Sequence, residues 1–176
     1  MKNTMNKPAA NSKGFSLVEL LIVAALIGIM TAIGVPAMIG QMAHIRFTRD
    51  ARDLSVAFRA ARMNAIAKNV RYGINITQGA PDAYQVQTCT DSPAPAPSVA
   101  CAAWGNAGGL ITFSSNSDIT SPAASIRVEF LPTGTAAVTG IMPPATNIDI
   151  RLANPSSDTD QLTINVRAAT GKIAVT

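Results

Sequence analysis

The spacing of hydrophobic and polar residues divides the chain into four stretches. Residues 1–14 are polar and basic, and residues 20–43 carry no charged side chain. A helix needs about 20 apolar residues to cross a bilayer, so residues 15–43 predict a transmembrane helix. From residue 44 to about 70, apolar residues recur at alternating spacings of three and four, which predicts an amphipathic helix. Its apolar positions are Phe47, Ala51, Leu54, Phe58, Ala61 and Ala65.

Beyond residue 70 the pattern alternates with a period of two, which is typical of strands. We predict eight strands and four turns between them. The strands are 71–77, 83–87, 110–113, 125–130, 136–138, 147–152, 161–166 and 172–175, and the turns are 79–82, 132–134, 154–157 and 170–171. One long helix followed by a run of strands predicts an α+β fold, in which the amphipathic helix packs on an antiparallel β-sheet head formed by residues 71–176.

The charge is unevenly distributed along the chain. Residues 46–71 hold seven basic and two acidic side chains, placed on the helix faces opposite the apolar positions. We expect i, i+4 pairs between Arg46 and Asp50 and between Arg49 and Asp53. The arginines favour a solvated face near anionic lipid headgroups, and a DNA-binding surface is the alternative. The charged faces carry Arg46, Arg49, Asp50, Arg52, Asp53, Arg59, Arg62, Lys68 and Arg71.

The overall composition excludes several classes of protein. With 48% hydrophobic and 14% charged residues, the chain is not a charged disordered tail protein. Two cysteines are too few for a disulfide-rich scaffold or a four-cysteine zinc module. The net charge of +4 suggests an anionic partner, but Lys2, Lys7 and Lys13 all precede the apolar segment. Without residues 1–14 the net charge is +1.

Glu19 is the one acidic residue within the apolar segment. A carboxylate in hydrocarbon costs at least about 2.5 kcal/mol and usually marks a function. It requires a cationic partner. The basic residues before the apolar run orient the N-terminus toward the cytoplasm, and the head is then outside it.

The sequence around Glu19, Lys13-Gly14-Phe15-Ser16-Leu17-Val18-Glu19-Leu20, resembles the class III signal of type IV pilins and type II secretion pseudopilins. The resemblance implies that a prepilin peptidase cleaves residues 1–14 between Gly14 and Phe15 and N-methylates Phe15. It also implies that Glu19 pairs with the N-terminal amine of a neighbouring subunit, and that the processed helix serves first as an inner-membrane anchor and then as the core of a fibre.

Two features of the apolar segment concern its backbone. Pro36 lacks an amide donor and is expected to kink or open the helix locally, as in the family. Ala24, Ala25, Gly28 and Ala32 allow close helix packing, although such residues also suit an ordinary transmembrane helix.

Three later segments resemble the GspH/FimT/FimU group of minor pilins and pseudopilins. They are the helix end Ala60–Asn69, the turn Val128–Gly134, and Thr163–Val166 followed by Gly171-Lys172-Ile173. The resemblance implies a minor type IV pilin that initiates or tips a pilus fibre. A minor pseudopilin of a type II secretion system is an alternative. A FimT-like DNA-binding pilin is another, but its Gly-Arg-x-Arg pattern is replaced here by Gly171-Lys172-Ile173-Ala174.

Cys89 and Cys101 flank a Pro/Ala-rich insert. Outside the cytoplasm they are expected to form a disulfide, and two unpaired thiols are the alternative. We expect no metal site, because the cysteines lack nearby His or Cys partners. The loop is the surface we expect to face a partner.

The remaining residues offer little catalytic chemistry. His44 is the single histidine and lies near the expected membrane interface, and Asp158 and Asp160 are expected to be solvated. The chain contains no phosphate loop, dinucleotide fingerprint or catalytic triad, so the sequence predicts no enzyme activity and no cofactor. The predicted partners are other pilin or pseudopilin subunits, the prepilin peptidase and the inner membrane, and DNA is the alternative partner.

Overall fold

A computed structural model describes residues 14–91, 101–139 and 147–176. The chain divides into two compact units, Met1–Gly40 and Gln41–Thr176. Most of the predicted leader and most of the insert between the cysteines lie outside the described residues. The predicted domain boundaries therefore stay predictions.

One long helix, α1, extends from Leu17 to Lys68. In its second half the six predicted apolar positions are all buried, so the predicted apolar face is confirmed. We call these six residues the inner stripe. The helix ends where Asn69 adopts a left-handed conformation with φ 53°, which asparagine tolerates better than most residues. This turn directs the chain into the first strand.

In the described part of the second unit, nine antiparallel strands form two sheets. The first sheet has the order β3-β2-β1-β5-β6, and the second has the order β4-β7-β8-β9. The strands are β1 (Tyr72–Thr77), β2 (Ala83–Cys89), β3 (Trp104–Thr112), β4 (Asp118–Ser121), β5 (Ile126–Phe130), β6 (Ala136–Thr139), β7 (Asn147–Asn154), β8 (Ser157–Arg167) and β9 (Ile173–Val175). The predicted α+β class is confirmed, with the head built from two sheets rather than one.

The hydrophobic core of the second unit joins the inner stripe to both sheets. Apolar residues alternate along β1, β5, β7 and β8, so each strand turns one face toward the helix. The rings of Phe58 and Phe130 meet edge to face, with centroids 6.1 Å apart. All residues of this core lie between Phe47 and Val166, so the core belongs entirely to the second unit.

The strand predictions missed β4, residues 104–109 of β3 and the first four residues of β8. β4 has four residues, of which only Ile119 is buried, so its alternation is too short to detect. β3 contains three glycines in the segment WGNAGGLIT and is exposed on both faces from Asn106 onward. Its pairing with β2 also shifts register between Gln85 and Gln87. A strand without one buried face has no period-two signal.

Two of the charge predictions need correction. Arg49 and Asp53 form the predicted pair, with Nε and Oδ2 3.6 Å apart. Asp50 does not pair with Arg46 among the ion pairs of the described residues. Its Oδ2 instead accepts hydrogen bonds from the Ser114 amide, the Ser114 hydroxyl and the Ser117 hydroxyl, at 2.9, 2.6 and 2.7 Å. The loop after β3 is thereby attached to the helix.

Arg71 is the second correction, because it does not lie on a solvated face. It is buried at the start of the sheet, and its Nη1 lies 3.7 Å from Oε2 of the buried Glu129. A buried charge requires a partner of opposite sign, and here that partner lies on β5, which is far away in the sequence but pairs directly with β1 in the sheet. Helical spacing alone could not reveal it.

Candidate functional site

The predicted processing site lies just before the helix. Gly14, Phe15 and Ser16 are not helical, and α1 begins at Leu17. The side chain of Phe15 is 84% exposed. The Gly14–Phe15 peptide bond therefore lies in non-helical backbone, the form that a peptidase can accommodate. Cleavage and N-methylation at this bond are not tested by the structure and stay predictions.

The apolar first part of α1 is exposed along its whole length. Within the described residues, Leu17–Val35 is a stretch long and apolar enough to cross a membrane, with mean hydropathy 2.5 and no part of it buried. At 1.5 Å per residue it measures about 28 Å, close to the thickness of a hydrocarbon core. So large an exposed apolar surface requires lipid or other protein around it.

Glu19 lies in the first turn of this exposed helix. A negative charge is favourable there, because the amide groups of the first turn lack helical acceptors and carry partial positive charge. An N-terminal amine from another chain would add a full positive charge. The pairing with a neighbouring subunit stays a prediction.

Pro36 lies inside α1, which is assigned as helix on both sides of it. The predicted kink is not tested. Gly28 has open space around the position where a Cβ would lie.

Arg62 connects the three segments that resemble the minor-pilin group. From the end of the helix, its Nε donates to the carbonyl of Gly134 at 3.0 Å, and its Nη2 donates to the carbonyl of Thr170 at 3.0 Å. Gly134 ends the turn after β5, and Thr170 lies in the turn between β8 and β9. One guanidinium thus holds two turns from different sheets against the helix.

The two turns meet at two glycines, and at Gly171 there is no space for a side chain. Gly134 and Gly171 have φ values of 84° and 60°, which favour glycine. A Cβ on Gly171 would collide with the carbonyl oxygen of Gly134 and lie 2.7 Å from Nε of Arg62. Helical spacing predicted a solvated face for Arg62, so the contact of Arg62 with the two turns was not predicted. All three segments resemble the minor-pilin group, but their positions in the sequence do not indicate that they meet in the fold.

A basic cleft of about 590 Å³ opens beside this junction. Arg59 and Arg62 contribute from the helix, and Arg167 and Lys172 contribute from β8 and the following turn. Met63 and Ile173 supply apolar walls. None of the four cations forms an ion pair with a carboxylate among the described residues, and Arg62 is occupied by the two backbone carbonyls.

Cys89 and Cys101 form the predicted disulfide, with Cα atoms 5.9 Å apart. The carboxylate of Asp91 accepts hydrogen bonds from the amides of Ala102 and Ala103, both at 2.7 Å. These contacts close the base of the insert next to β2 and β3. Asp91 and the two cysteines lie close enough for a metal site, but both sulfur atoms are bonded to each other.

His44 and Asp160 join the start of the amphipathic helix to β8. Nδ1 of His44 lies 3.0 Å from Oδ2 of Asp160, and the side chain of Asn154 donates to the same oxygen at 3.3 Å. The hydrogen bond from His44 is the main cause that lowers the pKa of the Asp160 carboxyl below its ordinary value. Asp160, expected to be merely solvated, is therefore a tertiary contact.

Comparison with known proteins agrees with the N-terminal features. Residues 9–35 match the family model of the prokaryotic N-terminal methylation motif. The chain is 29% identical over 141 residues to the type IV major pilin protein PilA of Myxococcus xanthus (strain DK1622). That similarity covers 71% of this chain, and the chain spans 61% of the length of the relative. No solved structure matched the fold. The motif, the pilin relative and the helix followed by antiparallel sheets together support the type IV pilin superfamily as the family of this chain.

Proposed function

We propose that the chain is a minor type IV pilin, a non-enzymatic subunit that helps to initiate or tip a pilus fibre. A prepilin peptidase removes residues 1–14 and methylates the amine of Phe15. The processed chain waits in the inner membrane and then enters the fibre with other pilin subunits. The observation that carries the proposal is the match to the methylation motif at residues 9–35, which includes the exposed apolar stretch Leu17–Val35.

The fibre role depends on a change in the surroundings of the apolar helix. In the membrane, lipid covers residues 15–43. In a fibre, the same surface is covered by the helices of other subunits, and lipid is no longer present to cover it. Small residues such as Gly28 and Ala32 then permit close contact between helices.

Glu19 sets the axial position of the subunit in this proposal. A carboxylate in an apolar fibre core is unfavourable unless it meets a positive charge, and the N-terminal amine of a neighbour supplies one. Only one stagger between two helices brings the groups together. Subunits at other positions would leave an uncompensated charge buried, which is strongly unfavourable.

The minor role is supported by the Arg62 junction, at which the three segments that resemble minor pilins meet. The similar protein from Myxococcus xanthus is named as a major pilin. A major shaft subunit and a type II secretion pseudopilin are therefore the alternatives, and both would use the same N-terminal chemistry. The number of copies per fibre separates a minor from a major subunit, and the neighbouring genes separate a pilus from a secretion system.

The orientation with the head outside the cytoplasm is supported by charge and by the disulfide. The lysines at positions 2, 7 and 13 precede the span, as expected for a cytoplasmic N-terminus. The Cys89–Cys101 bond requires an oxidising compartment, and the periplasm and the cell surface both provide one.

The experiment that tests the proposal is a comparison of Glu19→Ala with Val18→Ala in the cells that produce the chain. Both substitutions shorten a neighbouring exposed side chain in the same helical turn, but only the first removes the charge. We expect Glu19→Ala to stay in the membrane and to be lost from sheared fibres, whereas Val18→Ala enters fibres as the wild type does. Normal entry of Glu19→Ala into fibres would refute the register mechanism.

A further inference from the structure

The solvent-facing side of the amphipathic helix carries a second regular pattern. Directly opposite the inner stripe, seven exposed residues follow one another at spacings of four and three. We call them the outer stripe: Ile45, Arg49, Arg52, Val56, Arg59, Met63 and Ile66. A spacing that alternates between four and three keeps side chains on one line along a helix, and it is the spacing that helices use to pack against each other.

The outer stripe differs from a simple solvated face in its apolar content. Val56 and Met63 are 59% and 69% exposed, and Ile45 and Ile66 are exposed as well. An isolated exposed apolar residue needs no explanation, but four of them in line with three arginines form a continuous surface. Within the described residues only Arg49 of these arginines has an ion-pair partner, the exposed Asp53.

The outer stripe continues into the basic cleft. Arg59 and Met63 belong to both, and beyond them Arg167, Lys172 and Ile173 extend the same mixture of cations and apolar groups across the head. The combined surface is about as long as the amphipathic helix from Ile45 to Ile66, roughly 30 Å.

The composition of this surface disfavours lipid and DNA as its main occupant. Val56 lies about 22 Å along the helix from Gln41, the first residue of the second unit. Because the headgroup layer is only about 5–8 Å thick, lipid at the end of the membrane-spanning segment would not reach Val56. Duplex DNA would pair with the cations but would gain nothing from Val56 and Met63. The chain without its leader carries a net charge of only +1, which provides little general attraction to phosphates.

A second copy of the chain is also a poor occupant. Two outer stripes face to face would oppose arginines with arginines, and like charges across an interface are costly. The exposed large apolar residues of the described strands are Leu110 and Ile111 in β3 and Val175 in β9, and neither strand carries a charged side chain. Within the described residues, the head thus presents no surface on which carboxylates alternate with apolar groups.

We propose that the outer stripe and the basic cleft dock an acidic, amphipathic helix of a different subunit of the pilin superfamily. Its apolar residues pack on Ile45, Val56, Met63 and Ile66, and its carboxylates pair with Arg52, Arg59 and the cations of the cleft. This inference rests on the proposed function, since it names the partner that the subunit meets in the fibre. It predicts that the chain associates with an unlike subunit in preference to itself.

The test uses the full chain in the cells that produce it, with a photo-crosslinking amino acid in place of Val56. We expect crosslinks to another subunit with an N-terminal methylation motif, at a segment where Asp or Glu alternates with apolar residues at helical spacing. Mass spectrometry of the crosslinked peptide identifies both the subunit and the segment. Crosslinks only to a second copy, to lipid or to DNA, or no crosslinks at all, would overturn the proposal.

A charge reversal tests the electrostatic part with a matched control. Arg52→Glu/Arg59→Glu and Arg46→Glu/Arg151→Glu change the net charge equally, but only the first pair lies in the outer stripe. We expect the first pair to reduce the Val56 crosslink at least about tenfold, because like charges then face each other, and the second pair to leave it within about twofold. Basic substitutions in the crosslinked acidic segment of the partner should restore it. Equal losses from the two pairs, or no rescue, would contradict the docking surface.

A second crosslinking position separates this inference from the proposed function. The same amino acid in place of Leu20 reports on the fibre core. Crosslinks from Leu20 to pilin subunits without any from Val56 would reject the docking surface and leave the proposed function in place. If Leu20 also gives no crosslinks to other subunits, both proposals fail. Formation of the Cys89–Cys101 disulfide in each variant verifies that the head has folded.

Discussion

The junction at Arg62 gives the most direct prediction about the stability of the head. Arg62→Ala removes two hydrogen bonds at once, those to the carbonyls of Gly134 and Thr170. The Gly134 residue is buried, so its carbonyl would lose a partner that water cannot easily replace. The bond to Thr170 is exposed, and water takes over much of its contribution.

The magnitude follows from these two environments. A hydrogen bond from a charged donor contributes about 1.5–3 kcal/mol when shielded, and the partly buried bond to Gly134 falls at the lower end of that range. The exposed bond to Thr170 adds about 0.5 kcal/mol. We therefore expect Arg62→Ala to lower the free energy of unfolding by about 2 kcal/mol.

The assay is urea unfolding of the fragment Gln41–Thr176, which contains the complete hydrophobic core. Trp104 is the single tryptophan of the chain, and the centroid of its ring lies 4.8 Å from the guanidinium carbon of Arg127. Unfolding separates the two groups, so the fluorescence of Trp104 reports unfolding. Arg59→Ala is the matched control: it removes an exposed arginine of the same helix and should cost no more than about 0.5 kcal/mol. Equal stabilities of the Arg62→Ala and Arg59→Ala fragments would refute the role of the junction.

Three further predictions concern the head. Gly171→Ala should lower the free energy of unfolding by at least about 1 kcal/mol, because a Cβ collides with the neighbouring turn and the positive φ disfavours alanine; a neutral result in urea titration would contradict this. Cys89→Ser/Cys101→Ser should cost about 2–3 kcal/mol in the same titration, since the bond closes a loop with a sequence separation of 12, and the wild type should lose a similar amount in a reducing agent. The Asp160 carboxyl has a lowered pKa in the folded state, so its contact with His44 stabilises the head above the ordinary pKa of about 4 and is lost as the pH falls through the lowered value. The difference in melting temperature between the wild type and Asp160→Asn should therefore shrink in acid, and a difference independent of pH would argue against the contact.

The sequence was most informative where a single period persists. The inner stripe repeats over nearly 20 residues, and each of its six positions is buried as predicted. The same holds for strands with one buried face, such as β7, where Ile148, Ile150 and Leu152 alternate with exposed residues. Burial on one face of a regular element leaves a periodic trace, because the same geometry decides which residues face the core.

The features that the sequence did not reveal all depend on contacts between distant segments. Arg62 has the same helical neighbourhood as the exposed Arg59, and only the approach of two turns from different sheets distinguishes them. Arg71 was predicted to be solvated, but it is buried and forms an ion pair with the buried Glu129. Helical spacing predicted an ion pair between Asp50 and Arg46, but the Asp50 carboxylate instead accepts hydrogen bonds from the hydroxyls of Ser114 and Ser117 in the loop after β3. Spacing along one helix cannot predict a contact with a residue from a distant segment of the chain.

The N-terminal chemistry was accessible from sequence for the opposite reason. In the proposed function, Gly14, Phe15 and Glu19 form a short linear signal for a peptidase and a neighbouring subunit, and such a signal needs little folding to define it. The structure adds that the helix begins at Leu17, just after the proposed cleavage site, and that the apolar stretch Leu17–Val35 is uncovered.

The most direct test of the central claim is the N-terminal mass of the chain recovered from sheared fibres. We expect a chain that begins at Phe15 and carries one methyl group on its amine, present in fewer copies than the major subunit. A fibre-associated chain that still begins at Met1, or a processed chain that never leaves the membrane, would contradict it.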